Sequence, residues 1–171
     1  MDRPKLTPRI AYNLAKRLYE ASGERDTRLE SVIIQSTESA YLYACNVLKS
    51  SWLEAESVVA QDPFYACWYA KEVLKGRWPE AESVIAQDPY AAHMYARDIL
   101  RGPFLEAEPV IAQNPSWAYW YTREVLKAPW PEAEPAIAQD PESTFLYVEH
   151  VLKTPEDRAR FKEVQRCHAQ N

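Results

Sequence analysis

The chain has 171 residues, 47% of them hydrophobic and 26% charged, the make-up of a soluble folded protein of one ordinary domain and not of a disordered one. Its net charge of −5 and pI of about 5.3 argue against a general nucleic-acid binder, which needs a basic surface to displace counterions. Only Gly23, Gly76 and Gly102 occur, too scattered for a phosphate-cradling loop, so P-loop and Rossmann nucleotide sites are excluded.

The first ten residues, MDRPKLTPRI, hold no long apolar run and predict neither a signal peptide nor a membrane span. Pro8 to Glu20, with Ala11, Leu14, Ala15 and Leu18 on one stripe, predicts a lone helix that caps the chain. Ala21 to Arg28 reads as a polar connection, so residues 1–28 form an N-terminal cap. Cys45, Cys67 and Cys167 are odd in number and lack metal-ligand spacing. Free thiols in a reducing cytoplasm account for them.

An internal repeat occupies residues 29–153. LESVIIQST from Leu29, AESVVAQDP from Ala55, AESVIAQDP from Ala81, AEPVIAQNP from Ala107 and AEPAIAQDP from Ala133 start 26 residues apart. A second segment follows each, as in AHMYARDILR from Ala92. Each repeat predicts a short helix and then a longer one. Pro79 suits a first helical turn, and Glu80 and Glu82 complement the positive helix end. Asp88 then Pro89 is an N-cap followed by a first-turn proline. Ala92, Tyr95, Ala96, Ile99 and Leu100 make the apolar stripe of the longer helix, and Arg101, Gly102 and Pro103 signal its end. Such short pairs bury too little alone and must stack. After Lys153, residues 154–171 predict a polar closing helix from Glu156 to about Ala169, with no tryptophan matching Trp130. The expected fold is all-α: a single right-handed α-solenoid of five tandem 26-residue helix-turn-helix repeats between two caps, with about a dozen helices.

The run Lys75-Gly76-Arg77-Trp78-Pro79-Glu80-Ala81-Glu82, followed by Val84-Ile85-Ala86-Gln87-Asp88-Pro89, resembles short helix-pair repeats of uncharacterised phage and bacterial proteins. The resemblance covers most of the chain. It implies an α-solenoid and a phage or mobile-element origin, and no chemistry.

Several columns recur at the repeat spacing. Tyr43, Tyr69, Tyr95, Tyr121 and Tyr147 fall on the apolar stripe and read as core rings with the hydroxyl reaching a partner. Trp52, Trp78, Phe104 and Trp130 read as packing plugs before each short helix. Lys49, Lys75, Arg101, Lys127 and Lys153, with Glu56, Glu82, Glu108 and Glu134, read as dipole complements and cross-repeat ion pairs. His93, His150 and His168 build no ladder, no nucleophile–base pair presents itself, and no metal site or cofactor is expected.

One row stands apart. Opposite the apolar stripe, the longer helices carry Leu42, Trp68, Met94, Trp120 and Leu146. Phe64 and Tyr90 lie one turn earlier, and Lys71, Arg97 and Arg123 one turn later. The row is either buried against neighbouring helices or a partner-binding strip of aromatic and arginine anchors. At about 10 Å per stacked repeat, the strip would run roughly 20 Å from Trp68 to Trp120. The expected function is therefore a non-enzymatic protein-binding module in the cytoplasm. A phage origin would make a host or defence protein the target. The alternatives are a nucleic-acid or nucleotide binder using Lys71, Arg97, Arg123, Trp68 and Trp120, and an engineered repeat scaffold without a specific partner.

Overall fold

A computed structural model describes residues 6–169, with side chains to residue 167. The leader reading of residues 1–5, the ring of His168 and residues 170–171 lie outside the described residues. The fold is all-α and helical-repeat-like, with twelve α-helices and no strand among the described residues. None of these helices is long and apolar enough to cross a membrane. The chain divides into two compact units, Met1–Val84 and Ile85–Asn171.

The first unit opens with α1 (Pro8–Ser22), capped by Thr7, whose side chain accepts from the Ile10 N–H. The helix runs two residues past the predicted end because its stop is Gly23, left-handed at φ 73°. The connection is correspondingly short, since Asp26 already caps α2 (Thr27–Ile33). The predicted stripe of α1 is corrected in part. Ala11, Tyr12 and Ala15 are buried, but Leu14 and Leu18 are 43% and 41% exposed, beside exposed Leu6 and Ile10. α1 packs on α2 and α3 (Thr37–Tyr43), burying Ala11, Tyr12 and Ala15 and leaving the leucines exposed. The unit continues with α4 (Leu53–Val59), α5 (Pro63–Tyr69) and the greater part of α6 (Pro79–Ile85).

The second unit holds α7 (Pro89–Tyr95), α8 (Glu108–Ile111), α9 (Pro115–Tyr121), α10 (Glu134–Ile137), α11 (Pro141–His150) and α12 (Pro155–Ala169). In both units the longer helices start as their sequence predicts. Asp62, Asp88, Asn114 and Asp140 have extended backbones and accept from N–H groups of the first turn, with proline next in chain.

Their ends differ from the prediction. α3, α5, α7 and α9 each continue into one π-helical turn, at Ala44–Leu48, Ala70–Leu74, Ala96–Leu100 and Thr122–Leu126. The residue that turns left-handed afterwards is the cation, Lys49, Lys75, Arg101 or Lys127, at φ 53–56°. Gly76 and Gly102 are not left-handed, and a Cβ there would meet nothing closer than 4.0 Å. Instead, Gly76 and Gly102 donate their N–H groups to the carbonyls of Ala70 and Ala96 at 3.1 and 3.2 Å. The wider turn thus satisfies the orphan carbonyls one residue earlier than a glycine stop would.

Buried tyrosines recur in the cores of both units. Tyr43, Tyr69, Tyr95, Tyr121 and Tyr147 are fully buried. Each ring meets an aromatic plug, with centroids at 5.1 Å for Tyr43–Trp52, 5.0 Å for Tyr69–Trp78, 5.5 Å for Tyr95–Phe104 and 5.3 Å for Tyr121–Trp130. In the second unit Tyr147 meets Phe161 of α12 at 5.2 Å, and Phe161 is 1% exposed. The closing helix is therefore not merely polar. It supplies its own plug, five residues beyond the position that matches Trp130.

Hydroxyls complete the arrangement. The backbone N–H groups of Trp52, Phe104 and Trp130 donate to Tyr69, Tyr121 and Tyr147 at 2.7–2.9 Å. Those hydroxyls donate to Glu56, Glu108 and Glu134 at 3.0–3.1 Å, and Tyr43 donates to Glu30 at 2.8 Å. The glutamates predicted to complement helix dipoles thus also hold the longer helix of each pair to the shorter. Burial beside a carboxylate pushes the Tyr69 hydroxyl up to about 12 and the others higher.

Candidate partner-binding faces of the longer helices

On the first unit, α5 positions Phe64, Trp68 and, in its π turn, Lys71. Phe64 is 39% exposed, Trp68 half-buried and Lys71 exposed. Phe64 and Trp68 meet edge-on at 5.8 Å, as expected for residues one helical turn apart. Two residues outside the predicted row support the indole: Tyr41 of α3 at 6.0 Å and Tyr65 at 6.2 Å. The result is a four-ring cluster with one face in water.

On the second unit, Tyr90, Met94 and Trp120 are each half-buried. Tyr90 packs edge-on against Trp117 at 4.8 Å. Arg123 is exposed, lies over the Trp120 ring at 5.3 Å and donates to the Tyr119 hydroxyl at 2.9 Å. This holds the indole in place and leaves part of the guanidinium for a partner. Arg97 differs from its predicted role. Its guanidinium binds Asp98 through two nitrogens at 2.6 and 3.1 Å, Glu124 at 3.1 Å and the Met94 sulfur at 3.1 Å. It serves as an internal brace between two longer helices. Leu42 and Leu146 are half-buried as well.

Sequence reasoning missed the polar residues beneath this face. His93 is 2% exposed, stacked on Trp117 at 5.6 Å, with Nε2 3.1 Å from the Glu124 carboxylate. The contact is close but poorly aligned, and neither ring nitrogen has a well-formed hydrogen bond. The related pair, one helix pair later, is Tyr119 and His150 at 3.0 Å. Both pairs are 31 residues apart, a spacing that links two columns and is invisible when each is read alone. Among the described residues, no three His, Cys, Asp or Glu side chains converge to hold a metal ion.

Burial, reinforced by the nearby Arg97 charge, holds the His93 ring below its ordinary range, against the pull of Glu124 and Asp98. A base whose folded pKa is depressed supports the fold above its unfolded pKa and loses that support as pH falls. Urea unfolding is therefore expected to show stability falling as pH drops from about 7.5 to 5. In His93→Phe the fall should be smaller. An equal slope in the two proteins would show that His93 is not the titrating group.

No protein-family model, curated protein or solved structure matches the chain. The class defined by the fold is an all-α, helical-repeat-like protein, and the candidate faces rest on geometry alone.

Proposed function

We propose that the chain is a non-enzymatic protein-binding module whose helix pairs act as units of an α-solenoid, with the outer faces of its longer helices receiving the partner. The observation that supports this is the exposure of the row. Leu42, Trp68, Met94, Trp120 and Leu146 are all half-buried, and Phe64 and Phe145 beside them are 39% and 64% exposed. Aromatic and arginine side chains on a firm helical support are the residue types that anchor protein interfaces. Phe64, Trp68 and Lys71 form the contact set of one unit. Tyr90, Met94, Trp120 and Arg123 form that of the other, with Arg97 bracing it. The motif resemblance to phage proteins makes a host or defence protein, met in the cytoplasm, the natural target.

The test is affinity capture with the tagged chain and with Trp68→Ala/Trp120→Ala. Truncating an interface anchor typically costs about 2 kcal/mol or more, roughly 30-fold in affinity. The double variant is expected to lose capture while keeping its helical circular dichroism. Phe64→Ser, at a more exposed ring, should weaken capture without altering folding. Undiminished capture by both variants would overturn the proposal. So would capture that collapses steeply with salt and requires nucleic acid.

A further inference from the structure

The second unit contains a hollow of about 400 Å³ that shares only Arg123 with the partner-binding face. Its walls come from the π turn after α9 (Thr122, Arg123), the link that follows (Lys127, Pro129), the end of α11 (His150), the link to α12 (Val151, Lys153) and the first turn of α12 (Asp157). Three permanent cations therefore face one carboxylate in a protein whose net charge is −5. That carboxylate is already engaged, since Asp157 accepts from the Thr154 hydroxyl at 2.7 Å and from Arg160 at 2.9 Å. Lys127 and Lys153 have exposed side chains.

The hydrogen-bond chain in one wall also favours an anion. Arg123 donates to the Tyr119 hydroxyl, which in turn pairs with His150 Nδ1 at 3.0 Å, so the wall is held by a connected chain of polar groups. Arg123 keeps its remaining N–H groups, and its planar fork suits phosphate oxygens. The hollow thus presents a guanidinium and two ammonium groups beside the His150 ring, with an uncompensated charge of two. That matches the dianionic form of a phosphate monoester. The volume exceeds that of a phosphate alone and leaves room for the group that bears it.

We infer that the hollow between α9, α11 and α12 is a binding site for a phosphomonoester, held by Arg123, Lys127, His150 and Lys153. This goes beyond the partner-binding proposal, with which it shares Arg123, and the isolated full chain suffices for its test.

The chain is titrated with inorganic phosphate at pH 7.5 and constant ionic strength, followed by amide chemical shifts. Saturable shifts are expected over 122–129 and 150–157, half-complete at about 1 mM or below. Lys127→Asn/Lys153→Gln should weaken binding about tenfold or more, the worth of one charge-assisted hydrogen bond. Asparagine tolerates the left-handed backbone at position 127, and Lys153→Gln alone repeats the test without touching it. Parallel titrations with phosphoserine and with adenosine monophosphate show which bearer the remaining space prefers. Equal affinities would mean that the phosphate alone is read. Shifts that stay linear, that chloride reproduces, or that persist unchanged in a folded double variant would overturn the inference.

Discussion

Tyr121→Ala is expected to lower the unfolding free energy by about 5 kcal/mol, enough to leave much of the protein unfolded at moderate temperature. Removing a fully buried aromatic ring costs about 3–5 kcal/mol through lost transfer energy and the cavity left against Trp130. The hydroxyl adds to this. It accepts from the buried Phe104 N–H at 2.7 Å and donates to Glu108 at 3.0 Å, so its loss strands a donor and an acceptor together. Tyr121→Phe isolates that second part and is expected to cost about 2 kcal/mol, since an unsatisfied buried N–H carries its full desolvation penalty. Urea titration of the two variants measures both. A phenylalanine variant as stable as the parent would mean that water reaches Phe104 and that the hydroxyl does not tie α9 to the start of its pair.

The second large effect is expected where α12 meets α10. Glu134 is 1% exposed and accepts from Arg160 through both carboxylate oxygens, at 2.7 and 3.2 Å, as well as from Tyr147. Arg160→Ala leaves a buried carboxylate with one neutral donor. Breaking a buried pair costs about 3–5 kcal/mol, but the Arg160 side chain is 39% exposed and water replaces part of it, so about 2 kcal/mol is expected. Adding Glu134→Gln should restore part of the loss at pH 7, because it removes the stranded charge. A gap unaffected by the second change would assign the effect to lost packing of Arg160.

Much of this was legible in the chain. Helix starts follow from interactions spanning three residues: Asp62 with Pro63, or Asp140 with Pro141, sets a cap wherever it occurs. Spacing put the tyrosines and their plugs in the core, and all are buried. The candidate row was recognisable as large apolar residues on the wrong side of an amphipathic helix. Its half-buried state was not, because wheel position does not say how far the neighbouring helix covers a side chain.

Tertiary structure alone decided three matters. It turned Leu14 and Leu18 outward, because α1 meets its neighbours through Ala11, Tyr12 and Ala15, where two alanines leave room for the one buried ring. It placed the left-handed residue at Lys75 and Arg101 instead of the following glycines. The π and α turns share nearly the same dihedrals, with Ala70 at φ −58° and ψ −42°, so local propensity cannot separate them. It also brought together groups 13, 26 and 31 residues apart: Tyr121 with Glu108, Arg160 with Glu134, and His93 with Glu124. Sequence by itself determined the helices, their caps and the residues of the core, since those depend on neighbours within a few positions. The pairing of charges and the exposure of the outer faces depend on which helix lies alongside, and only packing settles that.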